Sequence, residues 1–341
     1  MSRWLTTAFG LLGFCAAGPN GLAQEPFYKG KTISIISPAD PGGSYDLYAR
    51  LVAQHMVRHL PGNPSAVVQH MPGAGGIRAI NYMNSVAPKD GTVLHVPAQD
   101  VALSEALGRD GVEFKVTSFN WIGRMAPSID FTVTWHTQPV KTIEDAKRRE
   151  TTLSATGPNS PTSVNPSALN ALIGTKFKLI SGYKSNAEMS AAMEKGETEG
   201  SFASWVTLKT TFPHWLREKK INLLVVYAAE RLKEYPDVPA MTDLTNDPVD
   251  KQILSFLVST GTLGRSLLTS PGVDPRRVAE LRSAFDQAMR DPALIAETER
   301  LNIEFGPLTG DAVARHLREM FEAPPQVMAR TKEIVMGGIR R

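Results

Sequence analysis

Two rhythms of apolar residues alternate along this chain. Short runs rich in β-branched residues, such as Thr32-Ile33-Ser34-Ile35-Ile36-Ser37 and Ala66-Val67-Val68-Gln69-His70-Met71, read as strands. Each is followed by a stretch whose apolar positions fall three and four apart. After the first run, Tyr48, Ala49, Val52, Met56 and Leu60 make one helical stripe, with Ser44 placed to cap it, Asp46 in the first turn and Pro61-Gly62 to stop it. The same alternation predicts a helix over 77–86, a strand over 92–96 ended by Pro97, a helix near 101–107 and a strand near 120–125.

Phe131-Thr132-Val133-Thr134-Trp135 reads as a strand, and a crossover to a second lobe is expected just before it. That lobe repeats the pattern, with strands at 152–155, 178–180, 200–202 and 221–227. Helices are expected after Thr142, up to Leu172 and over 186–194. The segment 253–261 is expected to be the strand that returns to the first lobe, and four helices over 274–335 complete the chain. With 341 residues the chain exceeds one core of ordinary size. The expectation is an α/β protein of two lobes, lobe 1 spanning 27–126 plus 253–341 and lobe 2 spanning 127–252.

Charge narrows the partners. The formal charge is +3, with acidic and basic residues interspersed. Lys147-Arg148-Arg149 and Arg340-Arg341 are short basic clusters and no long Lys/Arg run is present, which argues against nucleic acid. The first 23 residues have the form of a cleavable signal peptide: Arg3, an apolar stretch over 4–18 too short to span a bilayer, and small residues in Gly21-Leu22-Ala23. Cys15 is the only cysteine, and Phe14 stands where a lipoprotein signal needs a small residue. A mature chain without cysteine, exported to the periplasm, is expected.

Two glycine-rich loops carry the candidate chemistry. Pro41-Gly42-Gly43-Ser44-Tyr45-Asp46 and Pro72-Gly73-Ala74-Gly75-Gly76 each follow a strand and open a helix. That arrangement aims backbone N–H groups at an anion, at the carboxyl ends of strands. Neither loop has a Gly-Lys-Ser/Thr ending or dinucleotide spacing, so nucleotide sites are excluded. His55 and His59 share a helix face, but Met56 stands where a metal helix has Glu, and a solvated face is expected instead. Ser181-Gly182-Tyr183-Lys184 lacks the companion motifs of a Ser-x-x-Lys nucleophile. No enzyme, cofactor or metal is expected. Asp46 either pairs with Arg50 and steadies loop one or meets a ligand donor. Arg78 either faces a second ligand carboxylate or lies on the surface. Tyr183 and Trp205 either close over a ligand or pack in the core.

Taken in order, several stretches resemble one family. They are Ile35-Ile36-Ser37-Pro38 leading into loop one and Leu47-Tyr48-Ala49-Arg50, then Met71 with loop two, Asp90-Gly91-Thr92, Thr156-Gly157, Gly182-Tyr183-Lys184, Gly196-Glu197 and Pro236-Asp237-Val238-Pro239. The set is similar to the extracytoplasmic receptors of tripartite tricarboxylate transporters, the Bug family. The resemblance implies a type II periplasmic-binding-protein fold with a ligand cleft between lobes, each lobe a mixed sheet flanked by helices. It also implies a small carboxylate ligand, membrane transporter subunits as partners and a monomer. It carries ligand contacts onto Ser44 and Asp46, Gly73, Ala74, Gly75 and Gly76, and, in lobe 2, Gly157, Ser160, Tyr183 and the stretch from Phe202 to Ser204. The chain departs from the pattern at Arg78, at Ser185 and at Ala203-Ser204-Trp205, where many members have Asp; Arg78, Ser204 and Trp205 are therefore candidates to shape ligand choice. A periplasmic sensor, and more remotely a hydrolase, are the alternative functions.

Overall fold

A computed structural model describes residues 1, 25–157 and 160–339. Residues 2–24, where the signal peptide and its cleavage after Ala23 are expected, Pro158-Asn159 and Arg340-Arg341 lie outside the described residues. Eleven strands are described: β1 (Thr32–Ser37), β2 (Ser65–His70), β3 (Val93–His95), β4 (Asn120–Arg124), β5 (Asp130–Trp135), β6 (Thr151–Ala155), β7 (Phe177–Ser181), β8 (Gly200–Ser204), β9 (Ile221–Val226), β10 (Ser266–Thr269) and β11 (Leu308–Thr309). They form two mixed sheets, one in the order β11-β4-β10-β3-β1-β2 and the other in the order β7-β6-β8-β5-β9. Helices flank both, as expected for an α/β protein of two lobes.

The strand directions decide where chemistry can gather. β1 runs parallel to β2 and β3, with Ser37 beside His70 and Ile36 beside both Gln69 and His95. The loops after these strands therefore leave the sheet side by side. β10 is antiparallel to β3, so the residue that enters β10, Arg265, stands at that same end. In the second sheet β6 is parallel to β7 and β8, while β5 is antiparallel to β8 with Asp130 opposite Ser204. Asp130, the first residue of β5, thus stands at the carboxyl end of β8.

One expected element is wrong. Residues 253–261 are not a strand but part of the helix Pro248–Leu263, and the returning strand is β10 just after it. The Asp247 carboxylate accepts hydrogen bonds from the N–H groups of Val249 and Asp250, both at 2.9 Å, and Pro248 opens the helix. Ile253, Leu254, Phe256, Leu257, Thr260 and Leu263 bury one face at three- and four-residue spacing. Ser259 and Thr260 donate to the carbonyls of Phe256 and Leu257, so their hydroxyls do not break the helix.

The first long helix is also less regular than its stripe suggested. It is α-helical over Ser44–Leu51, widens to π over Val52–Met56 and tightens to 3-10 over Val57–His59. His55 and His59 do not form a solvated face. Nε2 of His55 lies 2.6 Å from Glu297, and Nε2 of His59 lies 3.1 Å from Asp291, tying this segment to the helix Pro292–Arg300. Among the described residues no cluster of His, Cys, Asp and Glu suits a metal ion, and no helix is long and apolar enough to cross a membrane.

Candidate functional site

Loop one is held from behind by Asp46. Its Oδ2 accepts from Gly42 N at 3.0 Å and from Arg50 Nε at 3.0 Å, while Oδ1 meets His70 Nε2 at 2.7 Å. Burial alone would raise this carboxyl; the donors Arg50, Gly42 and His70 outweigh it and hold it below the usual carboxylate range. The helix N-cap is Gly43 rather than the expected Ser44, and no side chain caps it. The first helical N–H groups thus have no intrahelical acceptor.

Loop two has an unusual backbone. Gly73, Ala74, Gly75 and Gly76 all have positive φ, at 138°, 49°, 64° and 94°. Alanine rarely adopts this region, so the turn is fixed by its surroundings. At Gly76 a Cβ would come within 2.6 Å of the Ala98 Cβ, which requires glycine for close packing against the loop after β3.

These loops border a cavity of about 670 Å³ between the two sheets. Of the candidates from sequence, Ser44, Gly73, Ala74, Gly75, Gly76, Gly157, Ser160, Tyr183 and Phe202 line it. Ser160 belongs to a hydroxyl cluster at the start of the helix Pro161–Ile173. Its Oγ lies 2.8 Å from Thr156 Oγ1 and 2.5 Å from Thr162 Oγ1, and it donates to Gly157 O at 2.8 Å. Burial and the nearby Glu197 and Glu188 carboxylates push the Tyr183 phenol upward.

Four candidates are not on the cavity wall. Asp46 sits behind loop one. Arg78 lies on the exposed side of the helix Ile77–Ser85 and donates to Pro72 O at 3.4 Å. Trp205 is buried against Phe131 and Tyr235, with ring centroids at 5.4 and 5.5 Å. Ser204 is buried at the end of β8.

The floor of the cavity holds residues that the sequence did not single out: Tyr45, Gln99, Asp130 and Arg265. Arg265 is 4% exposed. Its Nη2 donates to Ser44 Oγ at 2.7 Å, and Nη1 to Gln99 Oε1 at 3.3 Å and Ser128 Oγ at 3.2 Å. The guanidinium lies 4.2 Å from the centre of the Tyr45 ring, while Nε has no acceptor among the described residues. Asp130, 4% exposed, accepts at Oδ2 from Gln99 Nε2 at 3.1 Å and Ser128 Oγ at 3.0 Å. Gln99 and Ser128 therefore each bridge the guanidinium and the carboxylate, which fixes the amide of Gln99 with its oxygen toward Arg265. Burial pushes the Asp130 carboxyl up, and Arg265, Gln99 and Ser128 oppose it. The signal for Arg265 was a lone charge between the apolar runs 253–263 and 267–268; for Asp130, it was a charge at the head of an apolar strand.

A buried cation beside two helix-opening loops is an arrangement that favours a small anion. The family model described as "Tripartite tricarboxylate transporter family receptor" matches residues 48–319. The chain belongs to that family, a family of solute-binding receptors rather than enzymes. A Cupriavidus necator protein described as a UPF0065 protein in the gbd 5' region is 26% identical over 295 residues, covering 84% of this chain and 82% of that protein. Three solved structures are similar in fold. BugD, a periplasmic binding protein, has a TM-score of 0.70 at 18% identity, covering 90% of this chain and 98% of its own. MatC from Rhodopseudomonas palustris, with bound malate, has a TM-score of 0.67 at 18% identity, covering 89% and 99%. R. palustris Rpa4515, with adipate, has a TM-score of 0.69 at 18% identity, covering 89% and 97%. The type II binding-protein architecture expected from the sequence is the one these structures share.

Proposed function

We propose that this chain is a periplasmic receptor that captures a small organic acid and hands it to a membrane transporter of the tripartite tricarboxylate type. One ligand carboxylate sits on the floor, taking hydrogen bonds from the backbone N–H groups of loops one and two and from Arg265. The lobe carrying Gly157, Ser160 and Tyr183 closes over the rest of the ligand. The observation that carries this reading is the convergence of both loops on a cavity floored by buried Arg265. Structures of the same fold hold malate and adipate, which favours a carboxylate over other anions.

Magnitudes agree with it. A helix N-terminus contributes ~0.3–1 kcal/mol to an anion, or ~2 when partly buried. A micromolar site needs about 8 kcal/mol. Charge-assisted hydrogen bonds, at roughly 1.5–3 kcal/mol each, supply the larger share. Lobe closure adds the contacts of the second lobe and forms the surface that a transporter would recognise. A thermal-shift screen of small carboxylates against neutral sugars and cationic amines tests the ligand class. Stabilisation by acids alone is expected.

A further inference from the structure

Arg265 accounts for one ligand carboxylate, but it does not account for Asp130. A buried acid on the floor of an anion site is unfavourable unless it too has a use. Asp130 borders the cavity, and both of its hydrogen bonds, from Gln99 and Ser128, end on Oδ2. Oδ1 has no hydrogen-bond partner among the described residues, and it is the oxygen left for whatever fills the cavity. Gln99 and Ser128 each touch both groups, so the guanidinium and the carboxylate are held one bridging residue apart. A ligand that places its carboxylate on Arg265 then brings its neighbouring carbon toward Asp130.

We propose that Asp130 reads a hydrogen-bond donor on the carbon next to the captured carboxylate, so that this receptor selects 2-hydroxy or 2-amino acids over the matching unsubstituted acids. The inference rests on the carboxylate reading above and adds a second recognition element to the same floor. An unsubstituted acid leaves Oδ1 buried under the ligand without a donor, whereas a hydroxyl or ammonium supplies one. The rigid frame of Gln99 and Ser128 also predicts the effect of Asp130→Asn. Its amide oxygen must take the Oδ2 place to accept from both donors, which turns the amide NH₂ toward the ligand. An ammonium then meets a donor, while a hydroxyl loses its charged acceptor and can only accept from the neutral amide, a weaker bond.

The test is calorimetry on the mature chain and on Asp130→Asn with matched acids: succinate, malate and aspartate; propionate, lactate and alanine; phenylacetate, mandelate and phenylglycine. In the set that binds, the wild type is expected to prefer a substituted acid by at least about tenfold, the worth of one hydrogen bond to a charged group. Asp130→Asn is expected to erase the preference for the amino acid and to reduce that for the hydroxy acid, while the unsubstituted acid binds no more weakly than before. The hydroxyl and ammonium arms identify which donor is read. Equal wild-type affinity for substituted and unsubstituted acids overturns the inference and leaves the receptor reading standing. A uniform loss of affinity in Asp130→Asn likewise overturns it, by making Asp130 a structural support. If the variant does not fold, the wild-type ratio decides alone. Absence of binding by every acid overturns the carboxylate reading, and this inference falls with it.

Discussion

His70 Nε2 lies 2.7 Å from Asp46 Oδ1, so the last residue of β2 is bonded to the first turn of the helix that follows β1. An ionised carboxylate only accepts, so the imidazole donates through Nε2. Loop one and the strand leading to loop two are thereby joined through one buried side chain. The folded pKa of Asp46 lies below its unfolded value. Its stabilisation is therefore complete above the unfolded carboxylate pKa of about 3.9 and is lost as pH falls through the lower folded value. Asp46→Asn should cost about 2 kcal/mol at neutral pH and flatten the acid limb of the stability profile. Denaturant melts of both proteins between neutral and acid pH check this, and parallel profiles would count against it.

Gly76→Ala should weaken ligand binding and lower stability by roughly 1–3 kcal/mol. The added methyl would meet the Ala98 methyl at 2.6 Å, on a backbone held at φ 94°. Thermal melts and calorimetry on the variant measure the two effects. A variant as stable as the parent would mean that loop two relaxes freely.

Asp100 titrates in the opposite sense to Asp46. Burial pushes its carboxyl up to about 6, against the pull of Arg109 at 3.7 Å. Between about pH 4 and 6 the folded chain holds this proton more firmly than the unfolded chain, so the contribution of Asp100 to stability falls as pH rises across that window. Asp100→Asn removes the fall. The difference in Tm between variant and wild type should move in the variant's favour from pH 4 to 6, whatever the absolute cost of separating Arg109 from its acid. A constant difference would contradict it.

Arg78→Ala should change affinity less than about twofold and stability by less than ~0.5 kcal/mol. Its guanidinium turns back to the Pro72 carbonyl on the exposed side of loop two. Calorimetry with a mono- and a dicarboxylate measures the effect. A selective loss of the dicarboxylate would return Arg78 to the site.

The parts of the site legible in the sequence are those written locally. Strand, glycine turn and helix are consecutive, so both loops could be read from residues within one βα unit each. Arg265 could not be read in that way. Its partner Ser44 lies 221 residues away, and only the antiparallel direction of β10 brings them together. Asp130 is placed by the same device in the other sheet. The helix Pro248–Leu263 was misread as a strand over 253–261, although Asp247-Pro248 is a helix start and its apolar positions keep helical spacing. Its Ser, Thr and Val residues gave it the composition of a strand. Trp205 and Arg78 followed aromatic and cationic chemistry that the fold directs into the core and out to the surface.

The most direct test of the account is calorimetry of a panel of small carboxylates on the wild type and on Arg265→Lys, with circular dichroism to confirm folding. Lysine keeps the charge but cannot bond Ser44, Gln99 and Ser128 together while meeting a ligand. The account predicts that at least one acid binds the wild type at micromolar Kd or tighter and that the variant loses at least about tenfold of that affinity. A wild type that binds none of the acids, or a folded variant that binds them unchanged, would contradict it.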